Sequence, residues 1–213
     1  MKTPFLYFCK LIAIPIAELF TGKIEGEDNI PHEGNFIIAS NHINSLDHFF
    51  IASFLKKELR DLRFIGAMDS FINFVFAGFF YYLTDTIAVN RKKNDRNAIL
   101  VKIEKCLKNG KIIVIYPEGD TNRKKELLRG KTGIAELSFK SNLPIIPVGL
   151  IKKKGVLKRE IKIGKSLYFS EQSRRFYEIK QDKKMCSSLL RKTTDKIMQE
   201  ISKLSQKPYR YDN

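Results

Sequence analysis

Apolar stretches alternate with amphipathic ones along most of this chain, and that alternation limits what it can fold into. Short runs suited to strands lie near residues 35–40, 62–67, 85–90, 111–116, 144–150 and 159–164. Between them, apolar residues recur at helical spacing near 46–57, 69–83, 95–109, 130–141 and 174–205. Strand and helix taking turns in this way predict an α/β domain. The 213 residues, 43% of them hydrophobic, suffice for a sizeable core, and no Pro-, Gly- or Ser-rich linker divides them, so one domain is expected. In such folds the turns that leave the strands carry the chemistry.

Lys and Arg number 39 against 23 Asp and Glu, a formal net charge of +16 that favours an anionic partner. The basic residues are spread along the chain and carry no zinc-knuckle or RNA-recognition signature, so nucleic acid is not expected. Cys9, Cys106 and Cys186 are odd in number and far apart, which supports neither a disulfide framework nor a metal site and implies a reducing, cytosolic side. His32, His42 and His48 likewise come without a ligand cluster, and no metal is expected.

Two tracts are strongly apolar. Pro4 to Ala17 is interrupted by Lys10 and closed by Glu18, which is marginal for a span of about 20 residues but suits an interfacial helix. It has no small-residue cleavage pattern, so a signal peptide is not expected. The tract from Phe64 to Leu83 contains Asp69 and Asn73, which argues against a lipid span. The alternative for both is ordinary core helix. Together with the positive charge they point to docking on an anionic membrane surface, peripheral or monotopic, at the cytoplasmic face.

The segment Asn41-His42-Ile43-Asn44-Ser45-Leu46-Asp47 follows the apolar run Phe36 to Ala39. This spacing puts a histidine in the turn leaving a strand and a carboxylate in the first turn of the next helix. A carboxylate on one ring nitrogen fixes the tautomer, and the other nitrogen can then take a proton from a hydroxyl. His42 therefore reads as a base and Asp47 as its orienter, in preference to Ser45 as a nucleophile. The competing reading is a loop histidine beside a helix-capping aspartate. Further on, Arg91 leaves a strand just before a helix start and is suited to gripping phosphate, unless Arg91 to Lys93 is simply a solvated run. Glu118, after a proline and before Gly119, sits on rigid backbone where strand 111–116 ends, suited to binding a hydroxyl or organising cations. Leu128 to Ala135 is a small-residue turn into a helix, and its Lys131 can meet an anion.

In this order these segments resemble the 1-acylglycerol-3-phosphate acyltransferases of phospholipid synthesis, over roughly residues 20–165. Asn41, His42 and Asp47 match the family's Asn-His-x-x-x-x-Asp block, with Gly26 to Pro31 as its usual approach. Arg91 matches the second block, Pro117-Glu118-Gly119 the third, and Leu143 to Val148 the fourth; the Gly130 to Gly133 turn is also similar. The third block departs from the family by placing Thr121 where an arginine is usual, with Arg123 two residues on.

The resemblance implies a mixed sheet flanked by helices, with a membrane-contacting helical element at 1–24 and a single acyltransferase domain at 25–213. It implies transfer of an acyl group from acyl-CoA or acyl-acyl carrier protein to the free hydroxyl of a lysophospholipid, giving phosphatidic acid without a further cofactor. His42 and Asp47 would be catalytic, and Arg91, Glu118, Gly119, Lys131 and Arg123 would bind the acceptor. Two rivals stay open: an acyltransferase for glycerol 3-phosphate or a lyso-aminolipid, and a non-catalytic membrane-binding module. A hydrolase is not expected because no Gly-x-Ser-x-Gly elbow is present.

Overall fold

The structure, a computed structural model, describes residues 7–55, 61–67, 86–89, 96–152 and 158–211. Seven strands form one sheet: β1 (Thr21–Glu25), β2 (Ile37–Ser40), β3 (Leu62–Ala67), β4 (Ile87–Val89), β5 (Ile112–Ile115), β6 (Ile145–Lys152) and β7 (Arg159–Ile163). Their spatial order is β1-β7-β6-β2-β5-β3-β4. All neighbouring pairs are parallel except β6 and β7, which makes the sheet mixed.

The described α-helices are α1 (Ile14–Leu19), entered through a π-helical turn at Cys9–Ala13, then α2 (Asp47–Phe54), α3 (Arg96–Lys108), α4 (Gly133–Ser141), α5 (Ser170–Glu178) and α6 (Lys183–Ser205). Central strands buried on both faces explain why the sequence shows continuous apolar runs there instead of alternation. Within β2, Ile38 joins Phe50 and Ile51 of α2 and Ile14 of α1 on one face. Its neighbour Ile37 turns to the other face, onto Leu100 and Ile103 of α3, Leu137 of α4 and Ile197 of α6.

Two sequence expectations change. The helix expected over 174–205 is two helices, because Asp182 accepts hydrogen bonds from the backbone of Lys184 and Met185 and starts a new helix there. Strand β1 was not expected; its charged, glycine-containing sequence Thr-Gly-Lys-Ile-Glu carries no apolar run, and it pairs at the sheet edge. The other strands fall within a few residues of their expected places. Of the tract 64–83, Phe64 to Ala67 complete β3, and the rest, with the helix expected over 69–83, lies outside the described residues. Among the described residues no helix is long and apolar enough to cross a membrane. The N-terminal segment nevertheless exposes Leu11, Ile16, Leu19 and Phe20.

Because β2 and β5 are parallel neighbours, with Ala39 opposite Ile115, the turns after them open side by side at one edge of the sheet. β6 lies on the other flank of β2, and the antiparallel return of β7 pairs Arg159 with Lys152, bringing the start of β7 to the same edge.

Candidate active site

Asn41 anchors the turn after β2 as a side-chain rung to β6: Leu150 N–H donates to its Oδ1 at 2.8 Å, and its Nδ2 donates to Leu150 O at 3.0 Å. His42 and Asp47 follow. Asp47 is the first residue of α2, but it does not cap that helix; Leu46 occupies the cap position without a side-chain bond. Asp47 Oδ2 instead faces back, accepting the backbone N–H of Ile43 at 2.5 Å and of Asn44 at 2.8 Å, together with His42 Nδ1 at 2.9 Å. Its other oxygen, Oδ1, accepts Arg159 Nη1 at 2.5 Å. The carboxylate is fully buried, and every contact just named is a donor to it.

That geometry fixes the imidazole. A proton must sit on Nδ1 to meet Asp47, which leaves Nε2 as the lone-pair nitrogen, and among the described residues nothing bonds Nε2. The ring stacks on Tyr116, with centroids 4.0 Å apart and planes at 13°, and meets His48 edge-on at 5.7 Å. Burial, then the neighbouring His42, pushes the His48 imidazole down to about 4, so His48 is neutral at physiological pH and does not compete for the transferred proton. Burial likewise raises the Tyr116 phenol well above its ordinary value.

The turn after β5 closes over this dyad. Glu118 is buried; its Oε1 accepts His42 N–H at 3.1 Å, and its Oε2 accepts Leu128 N–H at 2.9 Å and Asn122 Nδ2 at 2.5 Å. Asn122 N–H in turn donates to His42 O at 2.6 Å. The two turns are thus stitched through the backbone of the histidine itself. Gly119 has φ +73°, and a Cβ there would come within 2.5 Å of Lys131 Cε, so the lysine stem lies directly over the glycine backbone. Lys131 N–H is fixed to Pro117 O at 2.8 Å. Arg123 and Thr121 are exposed on the same loop. A carboxy-terminal tail straps that loop: Pro208 O accepts Leu127 N–H at 3.0 Å, and Lys207 Nζ donates to Asn122 O at 3.1 Å.

Of the residues expected from the sequence, His42, Asp47, Glu118, Gly119 and Lys131 converge, Arg123 stands exposed beside them, and Arg91 lies outside the described residues. Ser45 is exposed, its backbone oxygen bonded to His48 Nδ1. Sequence reasoning named Asn41 only as part of the family's first block, and missed Tyr116, Asn122 and Arg159. Asn122 was within reach, four residues after Glu118, but Arg159 is 112 residues from Asp47 and no spacing rule connects them. A cation opening an otherwise amphipathic strand was the one available signal.

The family profile described as Acyltransferase matches residues 22–151. Among curated proteins, the chain is 32% identical over 129 residues to a 1-acyl-sn-glycerol-3-phosphate acyltransferase of Borreliella burgdorferi, covering 60% of this chain and 50% of that one. It is 27% identical over 137 residues to the protein of the same name from Salmonella typhimurium, covering 62% and 54%. The chain therefore spans about half the length of these relatives. The crystal structure of the 1-acyl-sn-glycerophosphate acyltransferase PlsC from Thermotoga maritima superposes with a TM-score of 0.58 at 20% identity, over 90% of this chain and 79% of that one, and shares the fold.

Proposed function

Since this chain belongs to the acyltransferase family, we propose that it transfers a fatty acyl group from an acyl thioester to the free hydroxyl of a 1-acylglycerol 3-phosphate, giving phosphatidic acid. The observation that carries this reading is a histidine whose Nδ1 is held by a buried carboxylate and whose Nε2 is unbonded among the described residues. Nε2 takes the proton of the acceptor hydroxyl as its oxygen attacks the thioester carbonyl. The tetrahedral intermediate collapses, the C–S bond breaks, and the imidazolium returns its proton to the leaving thiolate. No acyl-enzyme forms in this reading, and Ser45 has no part in it. In this reading Arg91, Lys131 and Arg123 hold the acceptor's phosphate, Gly119 allows the lysine to lie close, and Glu118 acts by fixing the loop against His42.

Acyl-CoA or acyl-acyl carrier protein is the co-substrate, with no further cofactor; the net positive charge suits an acidic carrier. The exposed Leu11, Ile16, Leu19 and Phe20 support docking of segment 1–24 on an anionic membrane at the cytoplasmic face, where an insoluble acceptor is at hand. One observation favours another acceptor: Thr121, which replaces the arginine usual in resembling chains, is exposed and carries no charge.

The test is transfer from labelled acyl-CoA and labelled acyl carrier protein to lysophosphatidic acid, glycerol 3-phosphate and a lyso-aminolipid in detergent micelles. The expected outcome is phosphatidic acid as the main product, with kcat/KM for lysophosphatidic acid at least about tenfold above the others, because the lyso-aminolipid forgoes a charge-assisted phosphate contact and glycerol 3-phosphate has no acyl chain to bury. Preference for glycerol 3-phosphate or the lyso-aminolipid would assign the alternative acceptor.

A further inference from the structure

Arg159 lies beyond the region 22–151 that the family profile covers, and the transfer chemistry as written does not use it. It is 4% exposed, which is rare for a guanidinium without a dedicated partner. The partner is Asp47 Oδ1, and the same cation sits 4.7 Å from the centroid of the Phe50 ring. Asp47 and Phe50 are three residues apart on α2, so one helical face presents both the carboxylate and the aromatic platform. Backbone holds the arginine from the other side: its N–H donates to Phe20 O at 2.8 Å, and its strand pairs with β1 on one flank and β6 on the other. A buried pair of this kind adds little stability relative to apolar residues of the same size, so its placement against one catalytic carboxylate oxygen calls for a catalytic explanation.

We propose that Arg159 is a positioning residue for acyl transfer, fixing Asp47 Oδ1 and balancing its charge so that Asp47 can orient His42 without trapping it in the protonated form. The inference rests on the acyl-transfer reading. An uncompensated buried carboxylate against Nδ1 would favour the imidazolium, which has no lone pair to accept the acceptor's proton. Other charged or titratable groups also face the dyad. His48 and Tyr116 are neutral at physiological pH, Glu118 bonds the His42 backbone, and Lys207 of the carboxy-terminal tail is half-buried near Glu118 and Asp47. Of the two cations, Lys207 and Arg159, only Arg159 bonds the carboxylate directly among the described residues.

Removing the cation predicts a sign. Ile43 and Asn44 N–H still hold Asp47 ionised, so in Arg159→Met the His42 imidazole should titrate about one pH unit higher than in wild type. The experiment is a side-chain NMR titration of the full chain in detergent, with the His42 signal assigned by its loss in His42→Gln, alongside steady-state transfer to lysophosphatidic acid. Arg159→Met should show the upward shift and a fall in kcat of about a hundredfold, with both KM values within about threefold. Arg159→Gln keeps a donor without the charge and should shift His42 the same way, which covers the case in which the methionine variant does not fold. Arg159→Lys should restore the wild-type titration and at least tenfold of the lost turnover. A purely structural role predicts lower stability with His42 titrating as in wild type in every variant, and that result overturns the proposal. The titration needs no turnover, so it decides the placement of Arg159 even if lysophosphatidic acid proves not to be the acceptor.

Discussion

Asp47→Asn is expected to lower kcat by about 10³–10⁴-fold, the scale seen when an orienting carboxylate becomes an amide and the histidine tautomer is lost. The geometry leaves little room for compensation. Asp47 accepts four donors: two backbone N–H groups, His42 Nδ1 and Arg159 Nη1. An amide has one acceptor oxygen and an NH₂ group that is itself a donor, so wherever it turns, a donor faces a donor. If the oxygen keeps the backbone N–H groups and the ring, the NH₂ meets the Arg159 guanidinium, which is left buried without its counter-ion. If it turns the other way, His42 is driven to the tautomer with hydrogen on Nε2, which cannot act as base. Breaking one side of a buried pair also costs about 3–5 kcal/mol of stability. The measurement is kcat per folded molecule together with a urea unfolding curve. Activity within tenfold of wild type would mean that Asp47 does not orient the base.

The largest effect on the fold alone is expected from Gly149→Ala. Gly149 lies in β6 on the face that α6 covers, and a Cβ there would land on the main-chain carbon of Leu204 and the nitrogen of Ser205. Backbone in the last turn of a 23-residue helix has no rotamer to change. The helix must lift away, and Ile197, Met198 and Ile201, all fully buried, lose contact with the sheet. The expected loss is about 3 kcal/mol or more, at or above the upper end of ordinary overpacking. Gly110→Ala is the control: its φ is +71° but nothing lies within 4 Å of the new methyl, so about 1 kcal/mol of backbone strain is expected. Urea midpoints for the two variants should differ clearly; equal midpoints would mean that α6 does not pack on β6 through this glycine.

How much was legible in the sequence depended on range. Runs such as Ile112–Ile115 announce buried strands by local composition alone, and His42 with Asp47 could be paired because a strand end and a helix start five residues apart leave one sensible geometry. Glu118 was legible as a fixed carboxylate, though not that its oxygens are committed to His42 N–H, Leu128 N–H and Asn122, since the sequence does not show which turn faces which. Arg159 illustrates the limit. It reaches Asp47 only because β7 returns antiparallel beside β6, a pairing choice made by the whole sheet. The break between α5 and α6 was missed for the opposite reason: a local cap at Asp182 outweighed an apolar periodicity that runs on across it.

The central claim is that His42 is the base for acyl transfer. Its most direct test is the formation of labelled phosphatidic acid from lysophosphatidic acid by wild type and by His42→Ala, at saturating acyl donor and in the same micelles. Product is expected from wild type and a fall of about 10³–10⁴-fold in the variant, counted per folded molecule because the ring stacks on buried Tyr116 and its loss also lowers the urea midpoint. Turnover by His42→Ala within tenfold of wild type would contradict the claim.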